Sequence, residues 1–196
     1  AHLVLSAGSK VMVNPGTYIV NAQDITLQST ATLINNGSVS LKGNFTNNGM
    51  SAAGNGLFTF NGSANQIIGG SVATSFGQVA LNNNVQLAMT AGISSLLNFL
   101  SGKLTLGANN LTIGAGGTVS GYNSSRYLVT SATGKLIQNV GAVNKVYPLG
   151  TVTTYVPFTL SNSGTADNYG VRVFADVLNN GTSGGTIASI AHAVNM

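Results

Sequence analysis

The most regular feature of the chain is a three-residue unit in which a hydroxyl residue stands between two apolar ones. Side chains alternate between the two faces of a strand, so each unit points two apolar groups to one side and a hydroxyl to the other. The units therefore predict very short strands with one buried face and one solvated face. They are Ile25-Thr26-Leu27, Val39-Ser40-Leu41, Phe58-Thr59-Phe60, Leu104-Thr105-Leu106 and Leu111-Thr112-Ile113.

Segments rich in asparagine and glycine separate these units. Both residue types accept the positive φ of tight turns, so each segment predicts a turn. The Asn-Asn-Gly sequence at 35–37 recurs twelve residues later at 47–49, which indicates a local repeat. The segments are Asn35-Asn36-Gly37, Asn47-Asn48-Gly49, Asn61-Gly62, Asn109-Asn110 and Asn179-Asn180-Gly181.

Two all-β architectures fit this alternation of units and turns. Hairpins through the Asn-Gly turns would give an antiparallel sandwich or barrel. Three short strands per coil, stacked along one axis, would give a β-solenoid resembling a parallel β-helix. We favour the solenoid for residues 1–140, because the units are shorter than ordinary strands of about five or six residues and their spacing suits coils of about 20 residues.

One stretch departs from the pattern of short strands. Ile93, Leu96, Leu97 and Leu100 follow the spacing of a helix. Glycine, serine and asparagine interrupt these apolar positions, and they are poor residues for a helix interior. We therefore expect a pair of strands here.

The C-terminal part of the chain has a different pattern. After Gly141 the apolar runs lengthen, at residues 145–149, 155–160 and 169–177, and proline reappears at positions 148 and 157. Residues 162–168 between two of the runs are predicted to form a loop. This pattern predicts a small antiparallel β region over residues 141–196, either a separate cap or a mini-sandwich.

The composition narrows the class of protein. Charged residues make up only 5% of the chain, against about 25% in ordinary soluble domains, and glutamate is absent. A neutral polar surface of this kind is typical of exported β-proteins. The net charge of +4 comes from seven scattered cations. Nucleic-acid binding needs a cluster or stripe of cations, so we expect no nucleic-acid partner.

Two further absences bear on the class. The chain has no cysteine, which removes disulfides and cysteine-based metal or redox chemistry. No apolar run approaches the roughly 20 residues of a membrane-spanning helix.

Residues suited to catalysis are sparse. Glycoside hydrolysis needs two carboxyl groups that face each other, and the chain offers only Asp24 in an early coil with Asp167 and Asp176 in the late region. His2 and His192 are the only histidines, each near a chain end, and no Gly-x-Ser-x-Gly motif accompanies them. We expect a non-enzymatic protein without catalytic residues.

Sites for cofactors and metals are equally sparse. No Asp-rich loop suits calcium, and the glycine-rich residues 114–117 lack the Lys-Ser/Thr of a phosphate loop. We therefore expect no cofactor-binding residues and no metal site. Tyr122 and Tyr127 flank Arg126, which would suit a shallow glycan site if the rings are exposed, but tyrosines at strand ends more often have packing roles. An ice-binding array is a weaker alternative, and it would use the irregularly spaced hydroxyls of Thr26, Thr59, Thr105 and Thr112.

The order of several strings along the chain resembles the repetitive β-helical surface proteins of Bacteroidota that are exported by type IX secretion. This resemblance implies an extracellular location at the cell surface, adhesion or surface display as the function, and no shared catalytic residues. The strings cover most of the chain: 13–18 with 25–27, 58–68, 101–107 with 110–114, 147–151 and 160–167. The last residues, 191–196, do not resemble the sorting signal of that family.

Two functions from different classes follow. The first is a structural subunit or segment of an extracellular fibre or stalk, which associates with itself through unpaired strand edges. The apolar Leu3-Val4-Leu5 and the late run 171–177 would supply the complementary surfaces. The alternative is an adhesive module that displays a neutral polar face to glycans or host surfaces.

Overall fold

Short parallel strands wind around one axis and form a β-solenoid of about 7 turns, followed by small additional sheets. The fold comes from a computed structural model, which describes residues 2–21, 23–52, 54–130 and 132–173. These residues contain strands and turns but no helix. The prediction of an all-β solenoid is therefore confirmed, and the sandwich alternative is wrong.

The strands are numbered in chain order. The first twelve are β1 (Leu3–Leu5), β2 (Lys10–Val13), β3 (Tyr18–Asn21), β4 (Ile25–Leu27), β5 (Thr32–Asn35), β6 (Ser38–Leu41), β7 (Phe45–Asn47), β8 (Met50–Ala52), β9 (Leu57–Phe60), β10 (Gln66–Gly70), β11 (Thr74–Asn82) and β12 (Val85–Leu87). The remaining ten are β13 (Ala91–Ser101), β14 (Leu104–Thr105), β15 (Leu111–Ile113), β16 (Thr118–Ser120), β17 (Leu128–Val129), β18 (Leu136–Val140), β19 (Lys145–Tyr147), β20 (Leu149–Gly150), β21 (Phe158–Leu160) and β22 (Asp167–Val171).

Each coil contributes strands to three faces. Face 1 is the parallel sheet β1-β4-β7-β10-β12-β14-β17-β20. Face 2 begins with β2, β5 and β8 and continues through the first halves of β11 and β13 to β15 and β18. Face 3 contains β3, β6, β9, the second halves of β11 and β13, and β16. Hydrogen bonds between coils join residues such as Asn36 and Asn55, 19 positions apart, and Asn110 and Lys135, 25 positions apart, in agreement with the predicted coil of about 20 residues.

Alternation along each strand builds one continuous core. On face 1 the register aligns Leu3, Ile25, Phe45 and Ile68 in one inward column, while Thr26 and Thr46 point outward. Ile25 and Phe45 are fully buried. Apolar burial of about 25 cal/mol per Å² is the main stabilising term in such a stack.

The Asn-Gly segments at 35–37, 47–49 and 61–62 form corners of the coils, but not because of positive φ, and residues 179–181 lie outside the described residues. Gly37 and Gly49 are not among the residues with positive φ. A Cβ at either position would instead collide with backbone carbonyl oxygens of the preceding coil. The asparagine two positions earlier is buried and accepts the glycine N–H, at 3.1 Å from Asn35 Oδ1 to Gly37 N and 3.1 Å from Asn47 Oδ1 to Gly49 N. Close approach of the coils therefore selects glycine there.

The segment with helical spacing is a single strand that passes a corner. The start of β13 pairs with β15 on face 2, and Leu96, Leu97 and Asn98 pair with β16 on face 3. Ile93, Leu97 and Phe99 point inward and are buried. The expected pair of strands is thus one continuous strand that supplies two faces.

Antiparallel strands cover the C-terminal end of the solenoid. Strand β22 pairs with β18 on face 2, and β19 pairs with β21. The antiparallel region after Gly141 is present, but β20 still continues the parallel stack of face 1. The expected longer strands are absent from the described residues, where β19 to β22 have two to five residues each. Residues 174–177 of the last predicted run lie outside the described residues. The division of the chain at residue 140 stays a prediction.

Tyr147 anchors this cap. Its side chain is fully buried, and its hydroxyl donates to Tyr169 O at 2.9 Å and lies 3.4 Å from Gln138 O. Burial disfavours the phenolate and raises the pKa of Tyr147 from 10.0 to about 12. The ring therefore contributes stability that requires the neutral hydroxyl.

We expect this contribution to disappear between pH 10 and pH 12. An unfolded tyrosine ionises near pH 10 and Tyr147 only near 12, so the stabilisation is complete below pH 10 and is lost as the pH rises through 12. The difference corresponds to about 2–3 kcal/mol. Urea unfolding of the wild type and Tyr147→Phe at pH 9 to 12 measures it. The wild type should lose its advantage over the variant in this range, and parallel curves would contradict the assignment.

Candidate assembly surface

In the described residues, no strand pairs with the outer edge of the first coil on any of the three faces. On face 1, Leu3 N–H donates to Asp24 O at 3.0 Å, and Leu5 O accepts the N–H of Gln28 at 2.9 Å. Alternate residues of a strand direct their backbone groups to opposite sides. The N–H and C=O of Val4 therefore point away from the second coil, toward an edge that no described strand occupies.

The same geometry applies to the other two faces. The carbonyls of Val13 and Thr17 accept hydrogen bonds from the second coil at 2.8 and 3.0 Å. By the alternation of the ladder, Met12, Tyr18 and Val20 direct their backbone groups to the open side. The first coil thus presents three strand edges with the donors and acceptors of a further coil.

The side chains of this coil are exposed in an unusual pattern. Val4, Met12, Tyr18 and Val20 have 49%, 51%, 76% and 73% of their surface exposed. Their inward neighbours Leu3, Val11 and Ile19 are only half-buried, whereas Ile25, Leu33 and Val39, their partners in the second coil, are buried. The core therefore reaches solvent at this end. We name the strands β1, β2 and β3 with these residues the assembly surface.

The sequence indicates this surface by apolar residues at outward positions, which the search for three-residue units did not consider. Val4 aligns with Thr26 and Val20 aligns with Ser40, so the first coil carries valine where the next coil carries a hydroxyl. An apolar residue at an outward position indicates a covered surface rather than a solvated one. Leu3, Val4 and Leu5 were expected in a contact, but Met12, Tyr18 and Val20 were not.

In the described residues, the opposite end of the solenoid is covered on faces 1 and 2, and face 3 ends at β16. On face 1, Val156 N–H donates to Leu149 O at 2.8 Å, and Tyr155 bridges to Gly150. Strand β22 covers face 2, and β19 and β21 lie beyond face 3. Of the predicted late surface 171–177, Val171 and Val173 pack against the core at this capped end, and residues 174–177 lie outside the described residues. The two ends are therefore unequal.

The carboxylates and histidines do not form a catalytic group in the described part of the chain. Asp24 Oδ1 accepts the N–H of Asn44 at 2.7 Å, and Asp24 Oδ2 lies 3.4 Å from His2 Nδ1. These contacts fasten the first coils together. Asp167 starts β22 at the other end, while Asp176 and His192 lie outside the described residues. The absence of enzymatic activity stays a prediction.

The alternative of a glycan site on two exposed tyrosines is wrong, and Tyr127 has a packing role instead. Tyr127 is fully buried, and its hydroxyl donates to Thr151 O at 3.0 Å and accepts a hydrogen bond from Lys103 Nζ at 2.8 Å. Arg126 donates from Nη1 to Leu100 O at 2.8 Å. Only Tyr122 remains at the surface, half-buried. Inward and outward positions could not be assigned in this irregular corner, because it lacks the three-residue unit.

The outward hydroxyls also do not form one array. Thr26 and Thr105 lie on face 1, Thr112 on face 2 and Thr59 on face 3. The glycine-rich residues 114–117 form the corner between β15 and β16. The described residues contain no cluster of potential metal ligands and no helix long enough to span a membrane. The lack of a cofactor stays a prediction.

Comparison with protein-family models, curated proteins and solved structures gave no significant match. Any function must therefore be argued from the geometry of the chain.

Proposed function

We propose that this chain is a secreted structural protein of a bacterial cell surface, a subunit or segment of an extracellular fibre or stalk that associates with itself through the assembly surface. The observation that carries the proposal is the first coil, whose outer strand edges have no partner among the described residues and whose inward residues Leu3, Val11 and Ile19 are only half-buried. An uncovered strand edge is a template for further pairing. The low charge and the resemblance of the strings along the chain support an extracellular location.

The physical reason for association is the incomplete burial of the first coil. A partner at this surface would pair the backbone groups of Val4, Met12 and Val20 and bury their side chains. It would also complete the burial of Leu3 and Ile19. Their partners Ile25 and Val39 are buried because the second coil lies between two other coils. Soluble proteins usually protect such edges with lysine, proline or a covering loop. In the strands of the first coil, only Lys10 carries a charge.

Lysine substitutions at the assembly surface test this proposal. We expect the triple variant Val4→Lys, Met12→Lys and Val20→Lys to raise the concentration at which the chain assembles by at least about tenfold, which requires a loss of only about 1.4 kcal/mol. These side chains point outward, so the melting temperature of the unassembled chain should change little. Negative-stain electron microscopy and light scattering over a concentration series measure the effect.

A lysine elsewhere provides the control. Val72 is also exposed, at 40%, but lies between β10 and β11, far along the chain from the first coil. Val72→Lys should assemble like the wild type. A wild-type chain that stays monomeric at every concentration would overturn the proposal. Equal effects of the two sets of lysines would exclude the first coil as the contact.

A further inference from the structure

Face 3 contains a recess where its parallel sheet is interrupted. Strand β16 pairs with β13 of the preceding coil. After β17 on face 1 and β18 on face 2, the chain continues to β19, which pairs with β21 and not with β16. A cavity of about 230 Å³ lies between β16 and the residues that lead into β19. It is lined by Thr118, Val119, Tyr122, Gln138, Lys145 and Val146, with Val143 and Asn144 beside them.

The recess follows from the way the chain is capped. On faces 1 and 2 the ladder continues without a gap, from β17 to β20 and from β18 to β22. On face 3, β19 pairs with β21 instead, so the edge of β16 has no further strand among the described residues. Gly117 O, next to this edge, accepts a hydrogen bond from Lys145 Nζ at 3.2 Å. The side chain of Lys145 thus makes the hydrogen bond to Gly117 O that a further strand would otherwise make.

The lining combines an apolar wall with polar groups that converge on it. Val119, Val146 and the ring of Tyr122 supply apolar surface. Gln138 is 3% exposed and donates from Nε2 to Val146 O at 2.9 Å, which leaves its Oε1 as an acceptor. Lys145 uses one of its three N–H donors on Gly117 and has two left. A few placed polar groups on an apolar wall are the usual composition of a small-molecule site.

Size and charge narrow the class of ligand. The volume is below the roughly 300 Å³ at which drug-sized sites begin, so the recess holds about one ring-sized unit. An aromatic ring with an apolar body suits the C–H face of a sugar, and amide and hydroxyl groups suit its hydroxyls. The only charged residue in the lining is the cation Lys145. A carboxylate on the ligand would form a charge-assisted hydrogen bond with it.

From this geometry we infer that the recess binds one uronic acid unit of an acidic polysaccharide. The sugar ring lies against Tyr122 and Val119, its carboxylate contacts Lys145, and its hydroxyls reach Thr118 and Gln138. This site is independent of the assembly surface, which lies at the other end of the solenoid. It adds glycan binding to the structural role and places it at the capped end.

Titrations monitored by ¹⁵N–¹H correlation spectra test the inference. Glucuronic acid, glucose and acetate are added in turn to the wild type at constant ionic strength. We expect shifts confined to residues around 118–122 and 138–146, with glucuronic acid binding about tenfold more tightly than glucose, because one charge-assisted hydrogen bond contributes about 1.5 kcal/mol. Acetate should give no comparable shifts at the concentrations that saturate the site with glucuronic acid.

Two glutamine variants distinguish the effect of the cation in the recess from the effect of the net charge of the chain. Lys145→Gln removes the cation and leaves an uncharged amide donor on a side chain one atom shorter, so it should abolish the preference for glucuronic acid over glucose. Lys42→Gln removes an exposed cation far from the recess and should leave the preference unchanged. Equal affinities of the wild type for both sugars, equal effects of the two variants, or the same shifts with acetate would each overturn the inference. The absence of localised shifts would do the same.

Discussion

Phe76→Ala should lower the free energy of unfolding by about 3–5 kcal/mol, the usual cost of removing a buried aromatic ring. Phe76 is 1% exposed and lies where the third and fourth coils meet. Its ring centroid is 5.7 Å from that of Phe45, 4.9 Å from that of Phe58 and 6.2 Å from that of Phe60. Each such pair adds about 0.5–1.5 kcal/mol beyond burial. The neighbouring coils hold the surrounding backbone in place, so the cavity has little scope to collapse.

Chemical denaturation with intrinsic tyrosine fluorescence and circular dichroism measures this loss, and Phe158→Ala is the matched control. Phe158 is 46% exposed and lies on β21 at the cap. We expect the control to cost less than about 1.5 kcal/mol, since its ring is only partly removed from water. If both variants lose the same free energy, the four-ring cluster is not the centre of the core.

The inward and outward positions of the coils follow from local rules of the sequence. Thr26 and Thr59 each stand between two apolar residues, and alternation alone assigns their neighbours to the core. The coil length also follows, because neighbouring units start 14 residues apart at Ile25 and Val39 and 7 residues apart at Leu104 and Leu111, which suits several strands in a coil of about 20 residues. Local pattern is sufficient here because each strand is short and each face has one buried side.

The exceptions arise where contacts between coils override local preference. The sequence predicts positive φ at Gly37, but its φ is not positive. Glycine is needed there because the backbone of the preceding coil leaves no room for a Cβ. Leu96 and Leu100 follow helical spacing because one strand serves two faces around a corner. Such effects depend on residues about 20 positions away, and no rule confined to a short window contains them.

The candidate sites also divide into features that the local sequence pattern predicts and features that depend on contacts between distant residues. The apolar Leu3-Val4-Leu5 run was predicted as a contact from its composition, and β1 is an unpaired edge. An exposed Tyr127 was the condition for the alternative glycan site, but Lys103 and Thr151 bind its hydroxyl inside the molecule. The recess at Tyr122 depends on the unpaired edge of β16, which only the pairing of β19 with β21 creates.

The unequal ends have a consequence for assembly. A contact made only by the first coil would join two copies face to face and then stop, as in an isologous dimer. A fibre needs a second surface that binds the first coil of the next copy, and Val171 to Val177 were predicted for that role. Electron microscopy therefore distinguishes the two modes, because paired particles indicate the first coil alone and long fibres indicate two surfaces.

Gly70→Ala tests how much the close approach of neighbouring backbones contributes to the free energy of unfolding. Gly70 ends β10 with φ +123°, a conformation that only glycine adopts without strain, and it pairs with Asn47 of the coil before. A Cβ there would collide with backbone atoms of Asn47, which is itself fully buried. We expect a loss of about 3 kcal/mol or more, from φ strain of about 1–3 kcal/mol together with displacement of this corner.

Gly116→Ala is the matched control for that loss, measured by the same denaturation experiment. Gly116 is exposed in the corner between β15 and β16, and a Cβ there would meet nothing within 4 Å. We expect its effect to stay within about 0.5 kcal/mol, as for most surface substitutions. A small loss for Gly70→Ala as well would mean that the corner adapts to a side chain. The coils would then be held together by side-chain packing rather than by the close fit of their backbones.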